Sequence, residues 1–144
     1  YSDYPDKIFK NVNYWLKPNG YFCVHLVDRE KFDPVLESAS KLIPLFNPQK
    51  HSHKRVTQTK LKFDKFNYLA DWTFKKNNVQ FEENFMFNDN TKHVQNRHHF
   101  NIKDIKYYRK LAMKNGFKLI RIIDLLPANH DNNYVYILQK KFGM

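Results

Sequence analysis

The side chains that could do chemistry are histidines, carboxylates and a few arginines, and their spacing excludes several reaction classes. Of seven histidines, four come in two close pairs, His51 with His53 and His98 with His99. Zinc needs three or four ligands in tetrahedral array, with hydrogen-bonded supports behind them. These pairs are far apart and no cysteine stands beside either, so no metal site is expected. Histidine as a residue type suits a general base at neutral pH, which makes His25 a candidate. It lies inside the apolar run 21–27, however, and there it reads as a hydrogen-bonded core residue. No Ser-His-Asp or Cys-His arrangement is present, and the three glycines, Gly20, Gly116 and Gly143, do not make a phosphate loop.

The 144 residues suffice for one domain, and the apolar fraction of 42% supports a core built largely from 13 Phe, 9 Tyr and 2 Trp. The net charge is +11 and the pI about 9.7. A polyanion partner would explain that balance. Lysine outnumbers arginine 20 to 5, however, and arginine is the better phosphate fork. The lysines therefore read mainly as a solvated face, and nucleic-acid binding is the less favoured expectation. The lone Cys23 cannot form an internal disulfide, which fits a reducing, cytoplasmic setting. No apolar run reaches the ~18 residues of a membrane span, so no membrane association is expected.

The elements that must position these residues emerge from periodicity and punctuation. Residues 5–16 predict a helix, with Ser2 or Asp3 as cap, Pro5 in the first turn, Asp6 complementing the dipole, and Ile8, Phe9, Val12, Trp15 and Leu16 as an apolar stripe. Lys17-Pro18-Asn19-Gly20 ends it. The run 21–27 predicts a strand buried on both faces, as in a parallel sheet with helices on either side, whose neighbour on one edge is missing. Residues 32–53 are broken by prolines and read as loop, with a short helix over 35–40. From 56 to 100 the period is two, predicting an antiparallel meander with one apolar face. Within it, Phe66 and Tyr68 continue the strand of Leu61 and Phe63 past a bulge, and 76–78 and 88–91 are turns. Alternation puts Glu83 on the face of Phe81 and Phe85 and His98 on that of Val94 and Phe100, with Glu82, Arg97 and His99 opposite. Residues 103–115 predict a second helix, and 117–125 and 133–139 two closing strands that should pair antiparallel.

Three segments in this order resemble one family. Phe9-Lys10-Asn11-Val12-Asn13-Tyr14-Trp15-Leu16-Lys17-Pro18-Asn19-Gly20-Tyr21 is similar to the helix, Leu-Lys-Pro-Gly-Gly turn and fifth strand of class I S-adenosylmethionine-dependent methyltransferases, with Asn19 replacing the first glycine. His25 to Pro34 is similar to the segment just after that strand in one subgroup. Leu111-Ala112-Met113-Lys114-Asn115-Gly116-Phe117 resembles the end of the family's penultimate helix, and 117–125 and 133–140 its sixth and seventh strands.

The resemblance spans nearly the whole chain. It implies an α/β fold, the C-terminal half of a Rossmann-like sheet carrying an inserted antiparallel β-meander. The expected organisation is a single partial domain, 1–144: helix, fifth strand and connection over 1–55, insertion over 56–100, and helix with terminal strand pair over 101–144. The family's Gly-x-Gly-x-Gly turn, which would hold S-adenosylmethionine, has no counterpart here. The implied function is therefore the acceptor side of a methyltransferase acting on a small molecule, not active alone.

By the same resemblance Tyr1 lines the donor, and Tyr4, Asp28 and Arg29 line the substrate beyond the carboxyl ends of the strands. Glu82, Glu83, Arg97 and His99 face the acceptor from the insertion. The alternatives are a basic, aromatic-rich module stacking single-stranded nucleic acid, which burial of Phe63, Trp72, Phe74, Phe81 and Phe85 would exclude, and an inactive remnant of the enzyme.

Overall fold

A computed structural model describes residues 3–35, 48–76, 78–89, 92–128 and 130–142. The chain divides into two compact units, residues 1–32 with 102–144, and residues 33–101.

The first unit begins with helix α1, Pro5–Trp15. Pro5 suits the first turn, where the missing N–H has no intrahelical partner anyway. The N-cap is Tyr4, which makes no side-chain cap bond, so Asp3 does not cap; Ser2 lies outside the described residues. The helix stops at Lys17-Pro18-Asn19-Gly20. Asn19 takes the left-handed conformation (φ 63°) that asparagine tolerates, while Gly20 is required by proximity, since a Cβ there would lie 2.8 Å from the Lys17 carbonyl oxygen. Strand β1, Tyr21–Val27, comes next.

The same unit closes with helix α3 (Ile105–Lys114), strand β6 (Phe117–Asp124), a 3-10 turn over Leu126–Ala128, and strand β7 (Asn133–Lys140). Asp104 caps α3 by accepting from the Tyr107 amide at 2.6 Å. Gly116, at φ 79°, turns the chain out of it.

The three strands are ordered β1-β7-β6, and β7 is antiparallel to both neighbours. The closing strands thus pair as expected, and β7 lies beside the strand that resembles the family's fifth. The parallel sheet expected around β1 is not seen: every pairing among the described residues is antiparallel. Nor is β1 buried on both faces. It is an edge strand whose Tyr21, Cys23 and His25 are exposed, because α1 and α3 supply the core partners of one sheet face only. Phe22, Val24 and Leu26 face those helices. With Phe9, Tyr108, Leu111, Ala112, Phe117, Tyr136 and Leu138 they build the core. Phe9 meets Phe22 and Phe117 edge-on at 5.7 and 6.2 Å. Lys140 from β7 donates to the Asn13 and Leu16 carbonyls at 2.7 and 2.8 Å, satisfying the C-terminal end of α1 and placing a cation at its negative pole.

The second unit contains a short helix, α2 (Pro48–His51), and four strands: β2 (Gln58–Lys62), β3 (Phe66–Phe74), β4 (Val79–Phe87) and β5 (His93–Phe100). They form one antiparallel sheet in the order β2-β3-β4-β5, the meander that the period of two predicts. Residues 48–51 were expected as loop and are helical; of the helix expected over 35–40, residues 36–40 lie outside the described residues.

Phe66 and Tyr68 do not prolong β2 past a bulge. The chain reverses at 63–66, with the Phe63 amide donating to the Phe66 carbonyl at 2.9 Å, and β3 begins anew. That turn carries no glycine. Asn88, from the far end of β4, holds it by donating to the Asp64 and Lys65 carbonyls at 2.8 and 3.0 Å.

Candidate functional site

Tyr1 lies outside the described residues. The other sequence-derived candidates of the first unit gather at the carboxyl end of β1, because α1 runs back along that strand. A shallow cavity of about 140 Å³, lined by Pro5, Ile8, Val24, His25, Leu26 and Tyr108, brings the first turn of α1 alongside the end of β1. Tyr4 is 64% exposed there, and the Lys7 ammonium sits 4.7 Å from its ring centre.

Asp28 is built into the loop after β1. Its carboxylate accepts from the Glu30 amide at 3.1 Å, and its amide donates to the Asn132 carbonyl at 2.9 Å. The Arg29 side chain is largely covered, with Nε 3.8 Å from a Glu30 oxygen. His25 is hydrogen-bonded, with Nε2 2.9 Å from Asn133 Oδ1, but it is exposed rather than in the core: the period of two puts it on the sheet face away from the helices. The cavity is mostly apolar and well below the usual size of a small-molecule site.

In the second unit the register separates two chemically different faces. Arg97 and His99 lie on the polar one, as alternation predicted. Arg97 pairs with Glu82 across the strands at 3.2 Å, and Gln95 also donates to that carboxylate. Desolvation raises the Glu82 acid, but the Arg97 hydrogen bond and charge, with further donors including Gln95, outweigh it and hold it below the usual carboxylate range. His99 stands opposite Gln80. These two candidates belong to the second unit, and Tyr4, Asp28 and Arg29 to the first.

The other face is aromatic and holds one carboxylate. Rows of residues cross the sheet. One row is Leu61, Tyr68, Phe85 and Val94; another is Trp72, Phe81 and His98. Between them runs Thr59, Ala70, Glu83 and Asn96, so small and polar residues separate two ridges of rings. Trp72 stacks on Phe81 with centroids 4.4 Å apart, and Phe81 lies 6.0 Å from the His98 ring in near-parallel orientation. The Tyr68 hydroxyl donates to Glu83 Oε1 at 2.7 Å. Desolvation and that carboxylate push the Tyr68 phenol far above its usual ionisation range. Glu83 Oε2 lies 4.0 Å from His98 Nε2, and the Glu83 side chain is 22% exposed.

Tyr68 was not singled out from the sequence. The signal was available, since β3 pairs with β4 through a short turn, and tyrosine in the row beside a carboxylate is within bonding reach. The expectation that Phe66 and Tyr68 continue β2 past a bulge hid it. Among the described residues no three His, Cys, Asp or Glu side chains converge as metal ligands. None of the described helices is long and apolar enough to cross a membrane.

No family model and no curated protein matches the sequence. Solved structures do match the fold. An S-adenosylmethionine-dependent methyltransferase from Clostridium acetobutylicum is 15% identical with a TM-score of 0.61, covering 95% of this chain and 51% of its own. The CcbJ methyltransferase of Streptomyces caelestis is 8% identical with a TM-score of 0.63, covering 95% and 50%. CalS10 from Micromonospora echinaspora, an amino pentose methyltransferase solved with S-adenosylmethionine bound, is 8% identical with a TM-score of 0.56, covering 94% and 50%. The chain therefore has the fold of part of an S-adenosylmethionine-dependent methyltransferase and spans about half the length of these structures.

Proposed function

We propose that the chain is the acceptor-side half of an S-adenosylmethionine-dependent methyltransferase acting on a small molecule. The observation that carries this reading is the three-stranded sheet, in which β7 lies antiparallel between two strands of common direction, together with a fold match that takes in almost all of this chain and half of each relative. The uncovered edge and face of β1 support it, since a preceding strand and further helices would complete that sheet.

The residues present do not fit the methyl donor. A donor cradle needs glycines at the carboxyl ends of strands, where the backbone can approach the ligand and a helix N-terminus lies beyond. Gly20 and Gly116 instead stand at the amino ends of β1 and β6, after helices. The donor is held by polypeptide outside these 144 residues, and this chain's part is to bind and orient the acceptor. Positioning accounts for much of such a reaction, because the donor sulfonium is already activated.

The test is calorimetric titration with S-adenosylmethionine. The chain alone should give no binding heat. A longer form with a glycine-rich turn ahead of Tyr1 should bind the donor and methylate an acceptor. Tight binding by the 144 residues alone would overturn the division of labour. A longer form without such a turn would favour the inactive remnant. The rings whose burial would exclude the nucleic-acid reading are not buried: Phe63 is exposed, and Trp72, Phe74, Phe81 and Phe85 are half-buried. What counts against that reading is Glu83, because a carboxylate amid the rings repels a phosphate backbone.

A further inference from the structure

We infer that the hollow between the second half of α3, the start of β6 and the end of β7 is a binding site for a small organic anion, a compact apolar body with one anionic group. The site does not rest on the transferase reading, since the hollow lies at the end of the sheet away from Asp28 and Arg29.

The hollow is a cavity of about 270 Å³ within the first unit. That is room for about nine water-sized groups, at the ~30 Å³ each occupies in the liquid. Local structure shapes it. Gly116 turns the chain from α3 directly into β6, and its carbonyl accepts from the Lys141 amide at 2.9 Å, so the end of β7 is held beside the end of the helix. Leu119 stands opposite Leu138 across the two strands. β6 is an edge strand, so no further strand among the described residues closes that side. Phe117 and Leu138 are buried and form the base beneath the cavity. The wall a ligand would touch is Met113, 63% exposed, and Leu119, 37% exposed.

Charge complementarity selects the occupant. Three cations line the cavity, Arg109, Lys118 and Lys141, and no described carboxylate does. All three are exposed, so their alkyl stems can cover the apolar wall while the charged ends reach the rim. Among the described residues none of the three is in an ion pair. Nor does the end of α3 need them as caps, because the Leu111, Ala112 and Met113 carbonyls accept from the Asn115 and Gly116 amides. Uncompensated positive charge around a hollow draws anions to it. Hydrocarbon buried against Met113 and Leu119 adds affinity that an inorganic ion lacks. A protonated amine is repelled by the same three groups.

The test uses cyclohexanecarboxylate and cyclohexanecarboxamide, probes of nearly one shape that differ in charge at neutral pH. Binding is followed by the Met113 ε-methyl resonance, assigned with Met113→Leu. The carboxylate should shift that resonance saturably and bind about fivefold more tightly than the carboxamide, the scale of exposed ion pairs. Combining Arg109→Gln, Lys118→Gln and Lys141→Gln should bring the two probes to equal affinity, and about 0.5 M sodium chloride should narrow their difference in the parent. Equal affinities in the parent, a preference that survives the triple variant, or a carboxylate titration that leaves Met113 unmoved would overturn the site. Should the triple variant not fold, the parent decides: a preference indifferent to salt overturns the site. Sedimentation with phosphatidylserine vesicles, with no response to the carboxylate, would also overturn it, in favour of a membrane surface. S-adenosylmethionine has no part in this readout, so a failed titration removes the anion site and leaves the transferase reading standing, and a failed methylation assay does the reverse.

Discussion

Tyr68 and Asp6 make opposite contributions to the pH dependence of folding. The unfolded chain loses its phenol protons near pH 10, whereas desolvation and Glu83 keep Tyr68 protonated in the folded state beyond that. The folded form then holds more protons, so this contribution is full below pH 10 and is lost as pH rises above it. Tyr68→Phe should flatten the alkaline decline in urea midpoint and cost about 1 kcal/mol at neutral pH through the lost hydrogen bond. The Asp6 carboxyl is depressed by hydrogen bonds from Lys10 and Asn115, against some desolvation, with the Lys10 and Lys114 charges adding to the effect. Its contribution is present above the ordinary aspartate range and is lost as pH falls through the lowered value. Asp6→Asn should accordingly reduce the acid sensitivity of folding as pH falls below about 4, the ordinary aspartate value. A variant as acid-sensitive as the parent would exclude this role.

Local signals set the helices and strands, so single changes at their ends should tell. Asp104→Ala removes the cap of α3 and should lower stability by about 1 kcal/mol in denaturant unfolding. Gly116→Ala forces a Cβ into left-handed backbone and to within 3.1 Å of Asn13 Nδ2, the side chain that donates to the Asn115 carbonyl. It should cost about 1 kcal/mol or more. The end at Gly116 was legible in the sequence, because Asn-Gly after a helix acts over a few residues; the cap was not read, since the helix expected from residue 103 put Asp104 inside it rather than before it. The sorting of Glu82, Glu83, Arg97 and His98 between faces was legible too, since it needs only a period of two. What else was hidden acts across long separations. The hold of Lys140 on the end of α1, and of Asn88 on the turn at 63–66, joins residues distant in sequence. The surroundings of β1 were misread for another reason. Tyr-Phe-Cys-Val-His-Leu-Val is apolar enough for burial on both faces, but whether a second layer exists depends on other polypeptide, not on the strand.

For the molecule as a whole, the first unit has one helix-covered sheet face and one that is half open. Phe117, fully buried, joins β6 to the covered side, touching Phe9 and Phe22. Phe117→Ala should cost about 3–5 kcal/mol, enough to threaten folding, as judged by the loss of its thermal transition. On the open side, across β1 and β7, stand Cys23, Ile137 and Val135. The thiol of Cys23 is exposed there, in the middle of the strand. It is the sole sulfhydryl in the sequence, so a maleimide dye attaches at one address. Joining a donor-holding half to this sheet should slow that labelling, converting assembly into a chemical clock that needs neither substrate nor catalysis.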